Sequence, residues 1–210
     1  MCLFQLGEVI PFAVHLDSFH TSEFEFHFRI VTLDAKFETA MKQLLLSFCR
    51  YNLWANQQII NTLQLLPPDI VDATVPNSFP SIRKTIYHMW DAQVIWLGRM
   101  QGISLTTWPS AEYGSDFAGF DLYFIRQCED FINFVETRHE SFFESICFYR
   151  AINGKEHQTR NGDIILHCMN HSTYHRGQLI TMLRNLEVVE LPTTDYIAYN
   201  RLVQESNNVV

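Results

Sequence analysis

The chain has 210 residues, 47% of them apolar and 18% charged, with a formal charge of −8 and an isoelectric point near 5.5. That length and apolar content suit one globular domain with a sizeable core and exclude a disordered chain. The acidic balance argues against a broad nucleic-acid or anionic-membrane surface, because counterion release needs a basic face.

No run of about 20 apolar residues occurs, so no membrane-spanning helix is expected. The N-terminus lacks the basic-then-apolar order of a signal peptide. Five cysteines (Cys2, Cys49, Cys128, Cys147 and Cys168) never form CxxC. That pattern suits reduced thiols in a cytoplasm, and all five are read as structural.

Residues 1–40 differ in character from the rest. The run EFEFHFRI alternates with period two, as in an extended strand. The segment reads either as an added strand or arm, or as sequence upstream of a natural start at Met41; the second view is preferred and no chemistry is assigned to it. From Met41 to Leu66, Leu44, Leu45, Phe48, Tyr51, Ala55, Ile59, Leu63 and Leu66 recur every three or four positions, which predicts an amphipathic helix. Pro67 and Pro68 end it. Asn52 sits near its inward face and is expected to be a buried amide bonded to backbone.

Ser81 is a candidate N-cap for a second helix reaching about Met100. His88 lies beside its apolar stripe, at an edge shared with Ala92, Ile95 and Arg99. Asp91, one turn on, reads either as a carboxylate that orients it or, more commonly for such a residue, as a solvated acid. Residues 102–119 form a long connection with Gly, Pro and Ser turn signals, and connections of that length tend to be functional. A third helix is expected from about Asp121 to Cys147, with His139 inside its stripe as a core residue. Asn153-Gly154 then predicts a type I′ hairpin.

A fourth helix is predicted over Asp163–Leu186, capped by Asn161 or Asp163. At 100° per residue, Ile164, His167, Cys168, His171, His175, Gln178, Met182 and Leu186 share one side, so three histidines are expected to point inward. His171 and His175 stand at i, i+4, with Cβ atoms roughly 6 Å apart. Two imidazoles so spaced can each offer a nitrogen to one ion at about 2.0–2.1 Å. An HxxxH pair also arises by chance, and a site needs a third ligand from elsewhere in the chain. After Leu191-Pro192, Thr193 or Thr194 caps a short last helix, DYIAYNRLV. The expected architecture is all-α: a four-helix bundle with a short β-hairpin between helices three and four, a crossover through residues 102–119, and a short C-terminal helix.

Four stretches in this order carry a family resemblance: YNLWANQQI, SIRKTIYHMWDAQVIWLGRMQG, LHCMNHSTYHRGQ and LPTTDYIAYNR. Together they resemble the DinB/YfiT-like metalloenzyme family of bacterial four-helix bundles, which is unrelated to the polymerase that shares the name. The resemblance covers Met41 to about Val203 and delimits a domain at 41–205, with residues 1–40 as an extension. It implies a divalent metal, zinc or nickel, on His88, His171 and His175. His167, Asp91 and Gln178 are the accompanying pocket or outer-shell candidates. For Arg176, which matches HRGQ, helix–helix hydrogen bonding is preferred. The implied activity is that of a hydrolase or a low-molecular-weight thiol S-transferase on a small-molecule substrate, in a cytoplasmic homodimer. The alternative is a non-catalytic, metal-stabilised, stress-induced binding module.

Overall fold

Prolines and glycines divide the chain into helices much as their positions predict. The structure, a computed structural model, describes the backbone of residues 19–113 and 119–207, and side chains from residue 40 within those spans. The helices are α1 (Phe19–Gln64), α2 (Ile82–Met100), α3 (Phe120–Thr137), the single turn α4 (Ser141–Glu144), α5 (Asn161–Asn185) and α6 (Tyr196–Asn207). Two 3₁₀ turns, Pro68–Val71 and Pro109–Glu112, each start on a proline. The compact unit that carries the core begins at Thr39. This is a helical bundle with one small hairpin.

Several local expectations change. The run EFEFHFRI is helical rather than extended. It contains no glycine or proline to stop a helix, and propagation costs far less than nucleation. The third helix stops at Thr137, ten residues early. His139 then leaves the core: it is exposed, and its Nδ1 accepts from the Ser141 backbone N–H at 3.3 Å, serving the start of α4. From Ile146 the chain is already strand. Strand β1 (Ile146–Arg150) pairs antiparallel with β2 (Glu156–Arg160), Ile146 opposite Arg160 and Arg150 opposite Glu156.

The hairpin turn is not type I′. Gly154 has φ +83°, but Asn153 does not share a positive φ, as type I′ requires. The Gly154 N–H donates to the Ala151 carbonyl at 2.8 Å and Ala151 N–H donates to the Lys155 carbonyl at 2.8 Å. That is a type I turn closed by a left-handed glycine. Ser81 caps α2 as predicted, accepting from the Lys84 N–H. Neither Asn161 nor Asp163 caps α5 with its side chain; Arg160 holds the cap position and pairs with Asp163 and Glu144.

Helix α2 is the axis of the bundle. It packs against α5, α3, the Pro109–Glu112 turn and β1, so most of its perimeter is buried. One core cluster joins Ile59, Ile86, Met89, Phe124, Leu179 and Met182; a second joins Leu46, Phe131, Val135, Phe143, Ile165 and Met169. Cys49, Cys128, Cys147 and Cys168 are free and buried, and Cys2 lies outside the described residues. Among the described residues, no helix is long and apolar enough to cross a membrane.

Candidate metal centre

On α5 the buried face runs through Ile165, Cys168, Ser172, His175, Arg176, Leu179 and Leu183. Relative to the sequence expectation, the helix is rotated. Arg176 and Ser172 take the interior, His171 sits half-buried at the rim, and His167 is exposed instead of inward. The cause is Arg176, only 1% exposed, whose guanidinium donates to Asn52 Oδ1 at 2.6 Å and Asn56 Oδ1 at 3.0 Å on α1. Asn52 is therefore bonded to a side chain rather than to backbone. A buried cation needs such acceptors, and forming them sets the helix's rotation.

That rotation leaves His171 and His175 facing α2, where His88 meets them. His171 Nε2 lies 3.0 Å from His88 Nε2 and 3.1 Å from His175 Nε2. The three candidate ligand atoms lie within 4.8 Å of one another. Burial lowers all three pKa values: His88 to about 4, His171 to about 3, and His175 in the same direction. Mutual repulsion adds to the burial effect for His88 and His171. All three rings are thus uncharged at neutral pH, which is the state a metal ligand needs.

Gln178 fixes one tautomer. Its Oε1 can only accept, and it stands 2.7 Å from His175 Nδ1, so that nitrogen carries the proton and Nε2 turns a lone pair towards the other rings. Gln178 is itself held, donating through Nε2 to Ser78 Oγ at 2.9 Å and the Tyr174 hydroxyl at 3.1 Å.

Three imidazoles alone do not satisfy this arrangement. His171 Nε2 can give a proton to only one of its two neighbours, and its Nδ1 is buried without a partner. A divalent ion would use all three Nε2 lone pairs at once. Tetrahedral ligands at about 2.1 Å lie roughly 3.4 Å apart, close to the 3.0 and 3.1 Å that separate His171 from its two neighbours, with the third pair within 4.8 Å. The residues present fit such an ion, and imidazole suits zinc and nickel alike.

Asp91 is occupied elsewhere. It is buried, and its carboxylate accepts from the Ser110 N–H at 2.7 Å and Ser110 Oγ at 2.6 Å. It anchors the loop that carries Trp108 to α2. His167 lies beside the centre, its ring centroid 5.7 Å from that of His171 and 5.3 Å from Trp96. Two aromatic neighbours escaped the sequence reading: Phe79 packs on His88 at 4.5 Å and Trp108 at 6.0 Å. The available signal was an aromatic residue beside proline in each loop, SFP and TWP. A cavity of about 820 Å³ opens on one side of His88, lined by Phe79, Lys84, Tyr87, Asp91 and Trp108. A second, of about 470 Å³, opens on the other side and also reaches His171.

The sequence model of the DinB family matches residues 41–206. The chain is also 30% identical over 156 residues to Protein DinB of Bacillus subtilis (strain 168), covering 71% of this chain and 89% of that one.

Proposed function

The chain belongs to the DinB family, and from that premise we propose that His88, His171 and His175 hold a divalent metal, zinc or nickel, that serves a small-molecule reaction. The reaction class is hydrolysis or transfer of a low-molecular-weight thiol. The observation that carries this reading is the convergence of three uncharged Nε2 atoms from two helices. When bound, such an ion supplies a Lewis acid able to acidify a water or a thiol towards neutral pH.

The chain's own residues supply the setting. Three histidine ligands leave at least one position open, unlike a closed structural site. Gln178 keeps His175 in the ligating tautomer. Asp91 and Ser110 hold the Trp108 loop against the opening, while Phe79 covers the His88 ring. Their apolar surfaces limit water beside the histidines and leave two cavities in which a substrate fits. The reading includes a cytoplasmic homodimer, which sedimentation at micromolar concentration tests; a monomer would remove that part alone.

Elemental analysis of untagged protein purified without chelators tests the centre, with about one zinc or nickel per chain expected and none in His171→Ala. Incubation with thiols plus electrophiles, and separately with esters and amides, then tests the activity. Turnover lost in His171→Ala supports an enzyme. Stoichiometric metal with no turnover across the panel would instead make the protein a metal-stabilised binding module.

A further inference from the structure

Eleven positions beyond His88 on α2, Arg99 lies on the same helical edge, three turns on. It is 8% exposed, and its guanidinium forms no hydrogen bond or ion pair with any described residue. Its neighbours are aromatic: the carbon of the guanidinium sits 4.2 Å from the Trp96 ring centroid and 4.6 Å from that of Tyr149. Those rings meet edge to face at 5.2 Å and cradle the cation. They stabilise its charge, but they accept none of the five N–H donors it carries. Every other strongly buried arginine in the described chain has oxygen acceptors: Arg176 has Asn52 and Asn56, and Arg83 has Asp72.

Arg99 also lines the 470 Å³ cavity that reaches His88 and His171. The remaining wall is largely apolar, with Ala92, Ile95, Trp96, Trp108 and Ile152. A guanidinium whose Nε is buried without an acceptor, and whose two terminal nitrogens are not enclosed, lines an apolar cavity beside the histidines with its hydrogen-bonding fork free.

We propose that Arg99 is the anion-recognition residue of this site and that the substrate is a small carboxylate with an apolar body, its acid on Arg99 and its reacting end at the histidines. A carboxylate suits one guanidinium, because two parallel N–H groups match two oxygens and one charge. A phosphate dianion would call for a second cation, and neither lysine nor a second arginine lines this cavity. The Cα atoms of His88 and Arg99 are separated by roughly 16 Å along the helix axis. Both side chains lean towards the helix N-terminus, so only the longer reach of the arginine shortens the gap. The acid and the reacting atom are therefore several bonds apart.

The substrate assignment rests on the metal-centre reading, while the anion site itself can be tested separately. The full chain, stripped of metal with EDTA so that no acid binds through an ion, is titrated calorimetrically with benzoate, benzamide and phenylphosphonate. Benzoate is expected to bind at least about tenfold tighter than benzamide, and Arg99→Gln to abolish that preference. Metal content of Arg99→Gln, reloaded, is expected to match wild type. Ile152→Trp, which fills the cavity from the hairpin loop, is expected to weaken benzoate at least as much, and it decides the question if Arg99→Gln fails to fold. Equal affinity for acid and amide, no binding of benzoate, or a preference kept in Arg99→Gln would overturn the anion site. Tighter binding of phenylphosphonate than benzoate would overturn the carboxylate assignment. Absence of metal from wild type would remove the catalytic centre while leaving the Arg99 result standing.

Discussion

Single side chains in this protein act by fixing the state of another. Gln178 lines neither cavity beside His88; it holds the proton of His175 on Nδ1. Outer-shell hydrogen bonds of this kind are worth about 10–100-fold in metal affinity. Gln178→Leu should therefore lower affinity by that factor in competition against a chromophoric chelator; an unchanged affinity would show that the tautomer needs no support. Asn52 does for Arg176 what Gln178 does for His175. Asn52→Ala leaves a buried guanidinium short of an acceptor and should cost about 2–3 kcal/mol, read as a lower urea midpoint at unchanged slope. A loss under about 0.5 kcal/mol would mean that water or Asn56 substitutes freely.

At the scale of elements, the loops decide how α2 presents its histidine. Arg83, near the start of α2, pairs with Asp72 at the end of the first 3₁₀ turn and fastens the loop that carries Phe79. The Arg83 hydrogen bond lowers the Asp72 pKa from the ordinary aspartate value, and burial opposes it more weakly. The folded state thus releases its proton more readily than the unfolded chain, so stability rises with pH across this window. The contribution is complete above the unfolded value near 4 and is lost as pH falls through the lowered folded value. The Asp72 side chain is 53% exposed, which keeps the effect at or below about 1 kcal/mol. Asp72→Asn should melt slightly below wild type at pH 7, and the two curves should meet in acid. A difference that persists at low pH would assign the effect to packing instead. Helix α5 shows the limit of reading an element by itself. A stripe at 100° per residue locates a face only to within about one residue, and here Arg176 rather than His167 took the interior.

Across the whole molecule, the stretches that carry the family resemblance prove to be parts of one interlock. Within YNLWAN, Asn52 and Asn56 receive Arg176 of HRGQ, while Tyr51 and Trp54 pack on Tyr199 of the terminal segment. The Tyr51 hydroxyl donates to the Thr194 carbonyl at 2.7 Å, closing the C-terminus onto α1. The three-histidine cluster joins α2 to α5 in the same way, so an ion held there would link two helices of the bundle. Metal at about 100 times its dissociation constant adds roughly 2.7 kcal/mol of stability. EDTA should accordingly lower the melting temperature by about 5–10 °C. An unchanged melt would mean a bundle whose histidines satisfy one another without an ion.

Helix limits at prolines, the Ser81 cap, the hairpin around Gly154 and the i, i+4 pair of His171 and His175 were all legible in the chain, because each depends on backbone geometry over a few residues. The apolar stripes at helical spacing and the order of the motifs likewise pointed to an all-helical bundle. That His88 meets a ring 83 residues away was implied by the family resemblance and not by local periodicity; tertiary structure alone decided that Asp91 serves Ser110, that Phe79 and Trp108 flank the histidines, and that Arg99 faces a cavity without an acceptor. Local periodicity states which side of a helix is apolar. Which side chain at the rim of that face meets which partner depends on how buried charges such as Arg176 find their acceptors, and those acceptors lie on other helices.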